Sequence, residues 1–389
     1  MADIGVLHGP ITAGGGAESV AVNTIVGLQQ AGHDVTLYTT DTPSLQRLNE
    51  RYDVSIDGDL RTVTVETPAV QAVDIATTAT GVLGVTDMPL LRKAMFERVV
   101  ARRYGDDHEL LVCTHGECGI DGAVEYIHFP YFSRDAMQQY GTRFDERLYP
   151  TYHALCRLSK RQPRDPSSLT TLTNSRWTAT VIESVTERSP RVLHPPVETD
   201  GFDPQPWAER ESGFVSIGRL HPLKRQHELV AIVDALQERG YDEIALHIVG
   251  GVGDETYAQR LAALADTRPY IHLEGEVTRS ALVDLLETNR YGLHGRRFEH
   301  FGIAVAEMVA AGMLPFVHGS GGQQEVVRNT EELLYTDIDD AVATIAAVLD
   351  SDSRQARLRD HLTPQRGAYG RSRFRRQMHE IVEVALDTR

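Results

Sequence analysis

The chain has 389 residues, 41% of them hydrophobic, which is material for two cores of just under about 200 residues each rather than one. No apolar run reaches the roughly 18 residues of a membrane span, and Met1-Ala-Asp-Ile-Gly-Val-Leu-His8 lacks the basic flank of a signal peptide, so a cytoplasmic chain is expected. Its 55 acidic and 39 basic side chains leave a net charge of -16, which argues against broad nucleic-acid binding.

Only three bases are lysines, Lys93, Lys160 and Lys224. This balance is expected of a halophilic, archaeal cytoplasm, although a GC-rich genome also favours arginine. In molar salt the Debye length falls to about 3 Å, so an anionic ligand has to be gripped by contact. Cys113, Cys118 and Cys156 lack zinc spacing and are read as buried, reduced thiols.

In chain order, Asp3-Ile-Gly-Val-Leu-His8 reads as a buried strand, Ala13-Gly14-Gly15-Gly16-Ala17-Glu18 as a glycine loop, and Val20 to Gln30 as a helix. Asp34 to Thr39 is the next strand, completing a βαβ unit and opening a doubly wound parallel sheet. The loop does not match GxGxxG and no acid ends the second strand, which disfavours a nicotinamide cofactor. Asp57-Gly58-Asp59 has the form of a metal-binding DxD, but Asp-Gly between strand-like runs is read as a hairpin turn. Leu83 to Arg103 is amphipathic and basic, a core-facing helix that also suits contact with an anionic membrane or a lipid diphosphate. Strands Glu109 to Thr114 and Glu125 to Pro130 end near His115 and His128, and Asn174-Ser175 caps a helix after the strand Leu169 to Thr173. His194-Pro195-Pro196, Pro204 and Pro206 mark a linker, placing the first domain at 1–205.

The second half repeats the pattern. Strand Gly213 to Ile217 leads into Gly218-Arg219-Leu220-His221-Pro222-Leu223-Lys224, followed by a helix from Glu228 to Arg239. Further strands are Ala245 to Val249 before Gly250, Ile271 to Glu274 before Val277, and Leu314 to Val317. Arg219 and Lys224 flank one turn and can neutralise a diphosphate. Arg296 to Glu307 runs from a polar turn through Phe301, Gly302 and Ile303 into an apolar helix closed by Gly312. Glu299 and Glu307 lie roughly 12 Å apart at most, the reach of a nucleotide sugar from hexose to ribose. Carboxylates accept hydrogen bonds from vicinal hydroxyls, and helix-start N–H groups attract phosphate. The alternative is that Glu299 is a solvated loop acid and Glu307 pairs with a core arginine. The donor domain is set at 206–365, and a basic helix at 366–389 is expected to pack back on the N-terminal domain.

Gly14-Gly15-Gly16-Ala17-Glu18, Gly218-Arg219-Leu-x-x-x-Lys224, Glu299-x-Phe301-Gly302-x4-Glu307 and Gly321-Gly322-x-x-Glu325, in that order, resemble glycosyltransferase family 4. Tyr126-Ile-His128-Phe-Pro130, Asn174-Ser175-x-Trp177-Thr178 and His194-Pro195-Pro196-Val197 look like the α-1,2-mannosyltransferases of lipid-linked oligosaccharide assembly. The resemblance implies an α/β fold of GT-B type, two Rossmann-like domains facing across a cleft. It also implies metal-independent, retaining transfer without a cofactor, from a GDP- or UDP-linked sugar.

By the same resemblance Arg219 and Lys224 hold the diphosphate, Glu307 the ribose, and Glu299 with the Phe301-Gly302-Ile303 backbone the sugar and phosphate. Gly15 and Gly16 approach the diphosphate or acceptor, His128 lies at the reacting face, and Gly218, Gly250 and Val277 complete the donor set. His115 receives no role. The expected partners are a nucleotide sugar and a glycan or polyprenyl-linked acceptor, with peripheral contact at the inner face of the membrane. Two other readings stay open: a non-catalytic nucleotide- or glycan-binding partner on the same fold, and a sugar-nucleotide epimerase.

Overall fold

The computed structural model describes residues 1–66, 89–141 and 149–388, so Leu83 and the start of the basic amphipathic stretch lie outside the described residues. The chain divides into two compact units, Met1–Pro196 with Ser372–Arg389, and Val197–Arg371.

In the first unit, β1 (Asp3–Leu7), α1 (Gly16–Gln30) and β2 (Asp34–Thr39) form the expected βαβ unit. Next come α2 (Leu45–Tyr52), β3 (Arg61–Thr64), α3 (Pro89–Arg103), β4 (Leu110–Cys113) and β5 (Val124–Ile127), then α4 (Arg134–Tyr140), α5 (Tyr149–Ser159), β6 (Thr170–Thr173), α6 (Arg176–Val185) and β7 (Arg191–Val192). The sheet is parallel, ordered β3-β2-β1-β4-β5-β6-β7. The order reverses between β1 and β4, the point where open α/β sheets place ligands.

Helix α1 begins at Gly16 rather than near Val20. The Gly15 N–H donates to Glu18 Oε2 at 2.7 Å, so the glycine loop itself caps the helix. Asp57-Gly58 is a turn, with Leu60 N bonded to Asp57 O at 3.1 Å, but not a hairpin: helix α2 precedes it and β3 runs parallel to β2. Ser175 caps α6 by accepting from Thr178 N at 3.0 Å.

The second unit contains β8 (Glu211–Ile217), α7 (Gln226–Glu238), β9 (Leu246–Val249), α8 (Glu255–Ala265), β10 (Ile271–Gly275), α9 (Arg279–Thr288) and β11 (Asn289–His294). It continues with α10 (Ile303–Ala310), β12 (Leu314–His318), α11 (Gln323–Val326), β13 (Leu334–Tyr335), α12 (Ile338–Leu349) and α13 (Asp352–Leu362). Its parallel sheet is ordered β10-β9-β8-β11-β12-β13, reversing between β8 and β11. Strand β11 has no counterpart in the sequence reading, although it sits at that reversal.

The last helix, α14 (Arg371–Asp387), starts five residues after Arg366 and belongs to the first unit from Ser372. Phe374, Met378, Ile381, Val382 and Ala385 are buried in one core with Ile4, Ile25, Leu28 and Leu37. Gly27 lets α14 approach closely, since a Cβ there would lie 3.0 Å from Arg375 Cβ, and the Arg375 guanidinium donates to Asn23 Oδ1 at 2.8 Å. All three cysteines are buried thiols. No helix among the described residues is long and apolar enough to cross a membrane.

Candidate active-site residues

In the second unit the strand ends converge on Glu299. Gly218 follows β8 at φ 155°, and Gly250 follows β9 at φ 148°, where a Cβ would lie 2.3 Å from Gly218 O. Only glycine lets these two turns touch. The Lys224 side chain lies over Gly218, and its Nζ reaches Glu299 Oε2 at 3.1 Å. Arg296 Nε and His294 Nε2 stand 3.5 and 3.4 Å from the same oxygen.

Burial pushes the Glu299 carboxyl upward, but the Lys224 and Arg296 charges outweigh it and hold the group well below the usual carboxylate range. Glu299 is therefore an ionised, buried acceptor. His294, 2% exposed, is pushed down chiefly by burial and stays neutral. Arg219 is exposed at the end of β8 and makes no ion pair among the described residues. Val277 is half-buried after β10, against Val249 and Met308.

The Glu299 turn is fastened to the glycines after β12. Gly322 N donates to Glu299 O at 2.7 Å, Phe298 N donates to Ser320 Oγ at 2.9 Å, and a Cβ on Gly321 (φ 84°) would lie 2.3 Å from Glu299 O. The two sequence motifs are thus one structural piece. Gly302, at φ 100°, starts α10 and leaves the first N–H groups of that helix at the sheet edge. Phe301 is 3% exposed and packs its ring on Tyr369 at 5.0 Å, so its side chain is core and only its backbone is placed for a ligand. Ile303 is half-buried. Glu307, one helical turn on, accepts from Arg279 Nη1 at 2.6 Å. Burial raises its carboxyl, with Arg279 opposing the rise.

At the reversal point of the first sheet the chemistry differs. His8 follows β1, Thr114 and His115 follow β4, and His128 follows β5. His8 Nδ1 pairs with Thr114 Oγ1 at 2.9 Å, and its Nε2 faces Glu18 Oε1 at 3.9 Å. The His128 Nε2–H donates to the Thr114 carbonyl at 2.9 Å, which leaves Nδ1 as the lone-pair nitrogen. Burial holds His128 down at about 4, so it is neutral at neutral pH.

The His115 ring lies 4.9 Å from that of His8 and covers Gly9, where a Cβ would meet its Nδ1 at 2.5 Å. Burial and the neighbouring His8 push its pKa well below the ordinary value. Gly15 and Gly16 are exposed at the start of α1.

Arg296, His294 and Arg279 are partners the sequence reading missed. Arg296 was legible, three residues before Glu299; His294 and Arg279 come from β11 and α9.

Residues 198–362 match a family model described as glycosyl transferases group 1. A Candida glabrata relative named GDP-Man:Man(3)GlcNAc(2)-PP-Dol alpha-1,2-mannosyltransferase is 30% identical over 167 residues, 39% of this chain and 33% of that protein. A Xenopus laevis relative of the same name is 27% identical over 254 residues, 58% of this chain and 52% of its own length. The chain therefore spans between 33% and 52% of these relatives.

Among solved structures, WaaG, a glycosyltransferase involved in lipopolysaccharide biosynthesis, matches with TM-score 0.70 and 14% identity over 97% of this chain and 99% of that one. A sucrose-phosphate synthase from Thermosynechococcus elongatus matches with TM-score 0.70 and 15% identity over 100% of both chains. Anabaena HepE, solved with UDP and glucose, matches with TM-score 0.66 and 13% identity over 98% of this chain and 100% of that one. Residues 198–362 are thus similar to glycosyl transferases group 1, on a chain whose two parallel sheets have the GT-B fold.

Proposed function

We propose that the chain is a retaining, metal-independent glycosyltransferase that moves a hexose, mannose favoured, from a nucleotide diphosphate sugar to a lipid-linked glycan. What supports this most is the state of Glu299, ionised and 9% exposed beside Lys224 and Arg296 at the reversal point of the second sheet. Arg219 and Lys224 neutralise the diphosphate, and the α10 start with the Gly250 turn presents backbone to it. Glu299 accepts hydroxyls of the sugar, and Glu307 those of the ribose.

Front-face retention needs no protein nucleophile. As the anomeric carbon–phosphate oxygen bond breaks, the acceptor oxygen bonds to that carbon and the acceptor's proton passes to the departing phosphate oxygen. The protein's part is to hold both reactants and to stabilise charge on the leaving diphosphate. His128, neutral with a free Nδ1 lone pair, accepts from a substrate hydroxyl, and Gly15 and Gly16 admit substrate close to the backbone. The mannosyl donor and lipid-linked acceptor follow the printed names of the curated relatives. Contact with the cytoplasmic face of a membrane, through the basic helix α3, belongs to the same proposal.

The test is transfer from radiolabelled GDP-mannose, with UDP-sugars alongside, to a polyprenyl-diphosphate oligosaccharide in molar KCl. Turnover is expected to fall about 10²-fold or more in Lys224→Ala and Glu299→Ala. Unchanged turnover in both folded variants rejects the assignment.

A further inference from the structure

At the opposite edge of the second sheet, where β11 and β12 begin, arginines gather around Trp207, and Arg210, Arg290, Arg359 and Arg366 form no ion pair among the described residues, although Glu287 and Asp360 lie near enough to oppose part of their charge. Arg210 is 5% exposed and spends its donors on carbonyls: Gln205 O at 3.0 Å, Asn289 O at 3.3 Å and Ala311 O at 2.9 Å. Arg290 is occupied likewise, by Trp207 O, Ala208 O and Ser212 Oγ. Arg359 stacks on the Trp207 ring at 4.5 Å, and its buried Nε has no hydrogen-bond partner. Arg366 makes no side-chain hydrogen bond or ion pair among the described residues, and points at Gly312. A Cβ on Gly312 would lie 2.9 Å from one Arg366 Nη and 3.4 Å from one of Arg210.

The contrast within α13 is informative. Arg354 and Arg357 reach Glu332 at 3.2 and 2.8 Å, whereas Arg359 on the same helix finds no acid. Burial, then the charges of Arg366 and Arg359, hold Arg210 down at about 10, with Glu287 opposing them.

We propose that Arg359 and Arg366, backed by Arg210, bind a phosphate-class oxyanion at a site separate from the Glu299 edge. Guanidinium forks match tetrahedral oxyanions, and an unfilled buried donor costs stability until an acceptor arrives. The occupant ties the segment 205–210 before β8 to the α13 end of the chain, so its effect is on the stability of this unit and not on transfer.

The experiment uses the full chain with Lys224→Ala, which weakens phosphate binding at the other edge. Sodium phosphate titrated against sodium chloride at matched ionic strength is expected to raise the melting temperature saturably, by about 3 °C. Adding Arg359→Gln and Arg366→Gln removes that rise. A phosphate response no larger than that of chloride, or one that persists in full in the triple variant, overturns the proposal. Should a variant fail to fold, tungstate soaked into crystals of the unaltered chain decides. An anomalous peak against Arg359 and Arg366 supports the site, and its absence there rejects it.

Discussion

The reversal points of the two sheets are built on one topological plan and equipped with opposite chemistry. After β1, β4 and β5 stand imidazoles, of which His115 and His128 are held neutral by burial. After β8 and β11 stand fixed charges, with Glu299 kept ionised by Lys224 and Arg296. The difference lies in what is buried beside each group. A buried carboxylate stays ionised only with cations or hydrogen-bond donors in contact, whereas an imidazole escapes the cost by giving up its proton. One edge suits an anion and its hydroxyls, the other uncharged hydroxyls.

The largest expected effect tests the charged edge. Glu299→Ala leaves Lys224 and Arg296 without their anion, and transfer is expected to fall about 10²- to 10³-fold in a steady-state assay. The backbone under that edge comes next. Gly321→Ala puts a Cβ against the Glu299 carbonyl at a left-handed φ of 84°, and should cost about 2–3 kcal/mol in urea unfolding. Full stability in that variant would mean the glycine turn does not hold Glu299.

Acid sharpens the comparison. His128 binds its proton more weakly folded, at about 4, than unfolded, at 6.5, so the unfolded state takes up protons first and stability falls as pH drops from 6.5 towards 4. Glu299, also depressed, contributes stability above its unfolded value of 4.5 and loses it only below that. Between pH 6.5 and 5 the losses should come from depressed imidazoles and not from Glu299: His128 and His115 at one edge, His294 at the other, and His33, His153 and His318 elsewhere. His128→Gln should flatten the melting temperature against pH in that window, removing at most about 2 kcal/mol of pH-dependent stability. An unchanged slope would place the titration elsewhere. The smallest effect is expected at Arg279→Gln. Its side chain is 41% exposed, so stability should change by less than about 1 kcal/mol, while the Glu307 carboxyl rises further once its opposing charge is gone.

Much of this was legible where local chemistry decides. The glycine turns, the Ser175 cap and the apolar run of α10 announce themselves, because each is fixed within a few residues. Strand β11 was not legible. Asn289-Arg290-Tyr291-Gly292-Leu293-His294 has polar residues and a glycine where a buried strand should be apolar. They are tolerated because Asn289 donates its side-chain amide to Leu285 O at 2.9 Å and Gly292 lies against Met308. Losing β11 meant losing His294. The Asp57-Gly58 turn misled for the opposite reason: its local signal is real, but pairing is decided by β2 (Asp34–Thr39), well upstream of the turn. Glu307 does pair with an arginine, but not a core one: Arg279 arrives from a different helix with a side chain 41% exposed.

The return of α14 to the first unit has a consequence for how the polypeptide comes off the ribosome. Phe374, Met378 and Ile381 fill a core whose other residues were made hundreds of codons earlier. Residues 197–371 emerge in between, and can fold while their predecessor still waits with an open apolar groove. A chain cut off after position 371 and released should therefore resist protease in its later half first, reversing the usual order of N-terminal maturation.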